Sequence, residues 1–218
     1  MCDHFRKKGE PMSRYTEQED NVEFSEPIMA QKGVRLGVNF AEKSAWEIKK
    51  KKKWSVDQLA TMEPMLGQKF DACKLTLQIS DDSVKTEHEN AKPRLTIEHQ
   101  FNIEPFPYPD AKTGQKKMLG RQNLYELEAA LGFDPVFKVN GEVVEPFITK
   151  TGNKVAPKIE GVKRFVNPDF MDNYFDALGN PVMSNWEGKV LYADIEVEKS
   201  LQFGDKNVIK RFVKAPVI

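Results

Sequence analysis

The sequence predicts a mainly β fold: a five-stranded β-barrel with one or two helices, and an insertion at about residues 135–185 ahead of the last two strands. Three observations predict it. First, apolar residues alternate with polar ones at Val34, Leu36, Val38 and Phe40, at Cys73, Leu75, Leu77 and Ile79, and at Leu95, Ile97, Phe101 and Ile103. That period of two marks half-buried strands, not helices. Second, residues 121–131 have helical spacing, with Leu124, Leu127 and Leu131 on one face and Gly132 placed to end the run. Third, two further strand-like runs, residues 188–198 and 207–213, flank a loop containing Gly204-Asp205.

The remaining elements follow in chain order. Residues 1–30 are polar, carry Gly9, Pro11 and Pro27, and lack periodicity, so they are expected to form a flexible N-terminal arm before a single domain at 31–218. Ser55 is placed to cap a short helix over residues 54–59. Asp81-Asp82-Ser83 reads as a turn. The third strand must stop at the run Glu104-Pro105-Phe106-Pro107-Tyr108-Pro109, because proline cannot donate to a sheet ladder. Within the insertion, Asn140-Gly141 and Thr151-Gly152-Asn153 are turn signals between strand fragments, and residues 170–178 predict a short helix ended by Gly179-Asn180-Pro181. Three strands, a helix and two strands is the order of the oligonucleotide-binding (OB) fold, a small, partly open barrel.

Composition narrows the function classes. No run of eighteen apolar residues is present, which argues against a membrane-spanning helix, and Met1 to Lys8 lacks the apolar stretch of a secretory signal. Cys2 and Cys73 form no disulfide framework, so a reducing, cytoplasmic setting is expected. Lys plus Arg and Asp plus Glu each number 33, so any attraction for a polyanion must be local.

One segment is strongly local. Trp46-Glu47-Ile48-Lys49-Lys50-Lys51-Lys52-Lys53-Trp54 brackets five cations with two indoles. Lysines neutralise phosphates and release counterions, while indole faces stack on unpaired bases. The segment follows the first strand, where the OB fold places a binding loop. A second basic-aromatic set is Phe106 and Tyr108 with Lys116 and Lys117. A third is Lys210, Arg211 and Phe212 in the last strand, whose two faces are both mixed in polarity. Each has a plainer reading: a solvated lysine loop with half-buried tryptophans, a packed proline turn, and a charge-protected edge strand.

The closing pattern Gly188-Lys189-Val190-Leu191-Tyr192-Ala193-Asp194-Ile195-Glu196-Val197-Glu198, followed by Asn207-Val208-Ile209-Lys210-Arg211-Phe212, resembles phage-encoded single-stranded-DNA-binding-like proteins of replication and recombination gene clusters. The helix ending Ala130-Leu131-Gly132-Phe133 and the strands around Lys74-Leu75-Thr76-Leu77 and Leu95-Thr96-Ile97 are similar to that family's as well. The resemblance implies single-stranded DNA as partner without catalysis, DNA replication or recombination proteins as further partners, and the host-cell cytoplasm as location. No membrane partner is expected, and a homo-oligomer is left open.

Enzyme readings are weaker. Pro168-Asp169 precedes Glu196-Val197-Glu198-Lys199, yet Val197 stands where a metal-dependent nuclease needs an acid two residues before the lysine. His4, His88, His99, Cys2 and Cys73 lack zinc-ligand spacing, and Thr151-Gly152-Asn153-Lys154 lacks the phosphate-loop spacing. Cys73 with His99 is conceivable as a nucleophile and base, though a buried small hydrophobe is the simpler role for Cys73. No cofactor, metal site or catalytic residue is expected. The alternative to DNA binding is a structural or interaction protein, such as a virion or assembly component on a β scaffold, which zero net charge and the long insertion would suit.

Overall fold

The computed structural model describes residues 25–50, 54–104, 106–109, 116–119, 121–199 and 204–215. In chain order these hold β1 (Ser25–Glu26), β2 (Gln31–Glu47), α1 (Val56–Met62), a 3-10 turn at Glu63–Met65, β3 (Lys69–Ile79), β4 (Lys92–Pro93), β5 (Thr96–Asn102), β6 (Phe106–Pro109), β7 (Lys116–Leu119) and α2 (Arg121–Ala130). The insertion contributes β8 (Val136–Val139), β9 (Glu142–Val144), β10 (Phe147–Ile148), β11 (Lys154–Val155), β12 (Lys163–Phe165), α3 (Pro168–Tyr174) and α4 (Met183–Trp186), before β13 (Val190–Glu198) and β14 (Lys206–Val213).

The protein is mainly β, and one five-stranded antiparallel sheet organises it, in the order β14-β13-β2-β3-β5. The expected barrel is not closed: no ladder of hydrogen bonds joins β5 to β14. The two edges approach, with the His99 ring 5.2 Å from that of Phe212, edge to face. Helix α2 packs at this seam, where Glu126 accepts the Phe212 N–H at 3.2 Å. That backbone donor is therefore taken by a side chain and is withheld from a closing ladder with β5.

Two β-bulges decide which side chains face inward. In β2, Val38 pairs with Leu77 and Phe40 with Thr76, so Asn39 is the extra residue. Val34, Leu36 and Val38 are buried, but past the bulge the phase inverts: Ala41 turns in and Phe40 turns out, 47 % exposed. The alternation that groups Phe40 with the core is thus corrected. In β14, Asp194 pairs with Arg211 and Ile195 with Ile209, so Lys210 is the extra residue. Asn207 and Ile209 point inward before it and Phe212 after it. This explains why neither alternate face of that run is apolar in the sequence.

The sheet's inner face buries Leu36, Leu75, Leu77, Ile97, Phe101 and Leu191, covered by α2 through Leu124 and Leu127 and by α3 and α4. Trp186 is fully buried, donates its indole N–H to the Tyr174 carbonyl at 2.9 Å, and touches Phe101, Tyr174 and Phe175. The C-terminal part of the insertion is therefore core. The helix expected over residues 170–178 stops at Tyr174, since Phe175 is extended. The expected arm also changes at its end. Ile28 is fully buried, and the Asn207 side chain accepts its N–H and donates to its carbonyl, both at 2.9 Å. Residues 25–30 belong to the fold; residues 1–24 lie outside the described residues. Among the described residues no helix is long and apolar enough to cross a membrane.

Candidate nucleic-acid interface

Strand β2 is long because its two halves have different neighbours. Residues 31–37 pair with β13 and residues 36–47 with β3, the two ladders overlapping at Leu36 and Gly37. The end of this arm carries a small lobe. Ile48 exchanges backbone hydrogen bonds with Gln68 and Gly67, at 3.1 and 3.0 Å, and Ser55 with Gln58 forms a reciprocal capping box that starts α1. Ile48 and Met62 are buried at its centre, with Trp46, Trp54, Met65 and Phe70 packed around them.

The two indoles are therefore half-buried walls of a lobe, neither sealed nor splayed into solvent. Lys49 and Lys50 are exposed beside them; Lys51, Lys52 and Lys53 lie outside the described residues. Hairpin β6–β7 stands next to α1, with Tyr108 paired to Lys117 and Pro109 to Lys116, and Phe106 to Leu119. The strands that carry the second basic-aromatic set thus lie beside the helix that follows the first.

The third set is elsewhere and is differently employed. Phe212 is 4 % exposed, so its ring cannot stack on a base without opening the core. Arg211 donates to Asp194 at 2.7 Å, and Lys210 is ion-paired with Glu196, so both cations are already neutralised. Burial pushes the Asp194 carboxyl up, but hydrogen bonds from Arg211 and the Gly33 N–H outweigh it and hold the pKa below its ordinary value. That cluster fastens β14 to β13 and β2: Phe212 is core and leaves the interface, while Lys210 and Arg211 keep more than half of their side chains in water beside their carboxylate partners.

Phe40, by contrast, is exposed. After the bulge, Phe40, Glu42, Ser44 and Trp46 share the outward phase of β2. Their neighbours are Thr76, Lys74, Ala72 and Phe70 on β3, then Glu98, Gln100 and Asn102 on β5. An exposed ring and polar side chains thus form a shelf around Phe40 and Lys74, which closes over toward the indole-walled lobe, where Ala72 and Asn102 are buried. Lys74 bridges Glu98 at 2.9 Å and Glu42 at 3.5 Å, and the Glu98 hydrogen bond raises its pKa. The middle of the shelf is therefore not basic. The sequence carries no sign of Phe40's exposure, because a bulge is a single unpaired residue with no composition of its own.

The conceivable nucleophilic pair does not form. Cys73 is opposite Phe101 and His99 opposite Leu75, and burial pushes the Cys73 thiol up to about 12, so no thiolate is present near neutrality. Glu196 and Glu198 are spent on Lys210 and Lys206. Among the described residues no three His, Cys, Asp or Glu side chains converge as a metal site. No protein-family model, curated protein or solved structure matches the chain.

Proposed function

We propose that this protein binds single-stranded DNA on an OB-like sheet, without catalysis, in DNA replication or recombination. The observation that carries the reading is the shared outward phase of Phe40, an exposed ring, and Trp46, a half-buried wall of the lobe that bears Lys49 and Lys50. The strand order supports the OB-like description: β2, β3, β5, β13 and β14 adopt the neighbour relations of that barrel, with the seam left open. A single strand would lay its bases over Phe40 and against the indoles, and its phosphates on the lysines. A duplex hides its base faces and gains only the phosphate contacts.

Titration of the full chain with a labelled oligonucleotide at two salt concentrations, beside a duplex control, tests this. Affinity for the single strand should exceed that for the duplex and fall with salt as counterions are lost. Phe40→Ala should weaken it by about 1–3 kcal/mol, the range of one stacked base. Equal affinity for both forms, or none, contradicts the reading.

A further inference from the structure

Residues 136–165 carry a surface that the proposed interface does not use. Eleven large hydrophobic side chains are exposed among the described residues, and five of them, Val143, Phe147, Ile148, Val155 and Ile159, fall in this stretch. Apolar area gathered in one patch, not scattered singly, marks a contact surface. At its centre is the β10–β11 ribbon, a two-stranded sheet that is marginal by itself. Phe147 is opposite Val155 and Ile148 opposite Lys154, so the first pair shares one face and the second pair the other. Lys154 is ion-paired with Asp134, which holds its face toward the lead-in to β8. Phe147, 61 % exposed, and Val155 therefore look away from it. Pro146 precedes β10 and Pro157 follows β11, and a residue without an N–H at each edge hinders the pairing of a further strand. The ribbon is thus suited to contact through its face.

The charges around the ribbon identify the occupant. Lys138, Lys150, Lys158 and Lys163 form no ion pair with a described residue; the ion pairs of this stretch are Lys154–Asp134 and Arg164–Glu128. Lys138 and Lys163 stand directly opposite each other on β8 and β12, a like-charge pair that costs stability. Glu142, Glu145 and Glu160 are exposed, and they too form no ion pair with a described residue. An acidic partner would meet three carboxylates, and a basic partner four lysines. A second copy brings both signs at once. About a two-fold axis each patch meets itself, so lysines of one copy meet glutamates of the other. Nucleic acid suits the patch less well, since the carboxylates repel phosphate and four of the five exposed apolar side chains have no ring to stack. We propose that two copies of this chain associate through the Phe147–Val155 face of the ribbon, with these lysines and glutamates paired across the rim. Five exposed apolar side chains fit a weak dimer, half-associated on the order of 10 µM, and not an obligate one, whose interface is larger.

Sedimentation equilibrium of the full chain without nucleic acid, from about 1 to about 200 µM, tests this. The mass should rise with concentration from that of one chain toward twice that value. Phe147→Ser/Val155→Ser changes two positions outside the core, and should raise the concentration of half-association at least about tenfold. Val56→Ser/Leu178→Ser, at exposed apolar positions elsewhere, should leave it unchanged. A chain that stays monomeric across the whole range overturns the proposal, as does a dimer that Phe147→Ser/Val155→Ser leaves intact. So does a dimer weakened equally by Val56→Ser/Leu178→Ser, since the contact is then not specific to the ribbon. No oligonucleotide enters the measurement, so its result is separate from that of the DNA titration.

Discussion

Glu128→Ala should destabilise the fold by about 3 kcal/mol, the low end for breaking a buried ion pair. Glu128 is fully buried in α2, where it accepts from Arg164 at 2.8 Å and from the Asn167 N–H at 2.7 Å. Burial raises its pKa, opposed by those two partners. Asn167 in turn caps α3, accepting from the Asp169 and Phe170 N–H groups, and donates to the Asp134 carbonyl. One carboxylate thus joins α2, β12 and the start of α3. Its loss orphans the Asn167 N–H and leaves Arg164 without its carboxylate. The low end applies because Arg164 keeps about a third of its side chain in water and stacks 4.1 Å above the Tyr125 ring. Urea unfolding of Glu128→Ala beside Glu128→Leu/Arg164→Met measures this. The double variant, which removes both charges, should recover most of the loss; an equal loss in both would mean that the pairing is not the cause.

Acidification from pH 7 to 4 should remove up to about 3 kcal/mol of stability through His99, offset in part by Glu128, whose raised pKa lets the folded chain take up a proton before the unfolded one does. His99 projects into the seam between β5 and β14, against the Phe101 and Phe212 rings, and its Nε2 has no partner among the described residues. Burial lowers its pKa from 6.5 to about 4. Between those values the unfolded chain binds a proton that the folded chain refuses, so stability falls as the pH drops through this window, at about 1.4 kcal/mol per pH unit at most. Asp81, Asp176 and Asp194 all have lowered pKa values, and their contribution is lost only as the pH falls below the ordinary carboxylate value near 3.8. The His99 loss and the loss from these three carboxylates therefore separate on the pH axis. Urea midpoints from pH 7 to 4 should slope down in the parent and flatten in His99→Leu. A slope of the same size in His99→Leu would move the titration to another group.

Much of the scaffold was legible because local chemistry and final structure agree. The Asn140-Gly141 turn has both residues at positive φ, 51° and 93°, as a tight hairpin between β8 and β9 requires. Gly132, at φ 88°, stands just past α2 as its position suggests, and Ser55 caps α1. What the sequence concealed is long-range. Asn207 looks like one polar residue in a strand, yet it is buried to hold Ile28, 179 residues away. The bulges at Asn39 and Lys210 invert the phase of their strands, which sent Phe40 to the predicted core and Phe212 to the predicted surface. Trp46 and Trp54 fell between the two readings offered for them, since Ile48 and Met62 use one side of each indole.

The account depends on unpaired bases lying across the outward face of β2 and β3 and against the lobe. Ultraviolet cross-linking of the full chain to an oligothymidine, with adducts mapped by peptide mass spectrometry, tests that placement most directly. Adducts should concentrate on peptides containing Phe40, Trp46 and Trp54, and should fade as salt is raised. Adducts confined to residues 143–159 or to β14, or an absence of adducts at low salt, would contradict it.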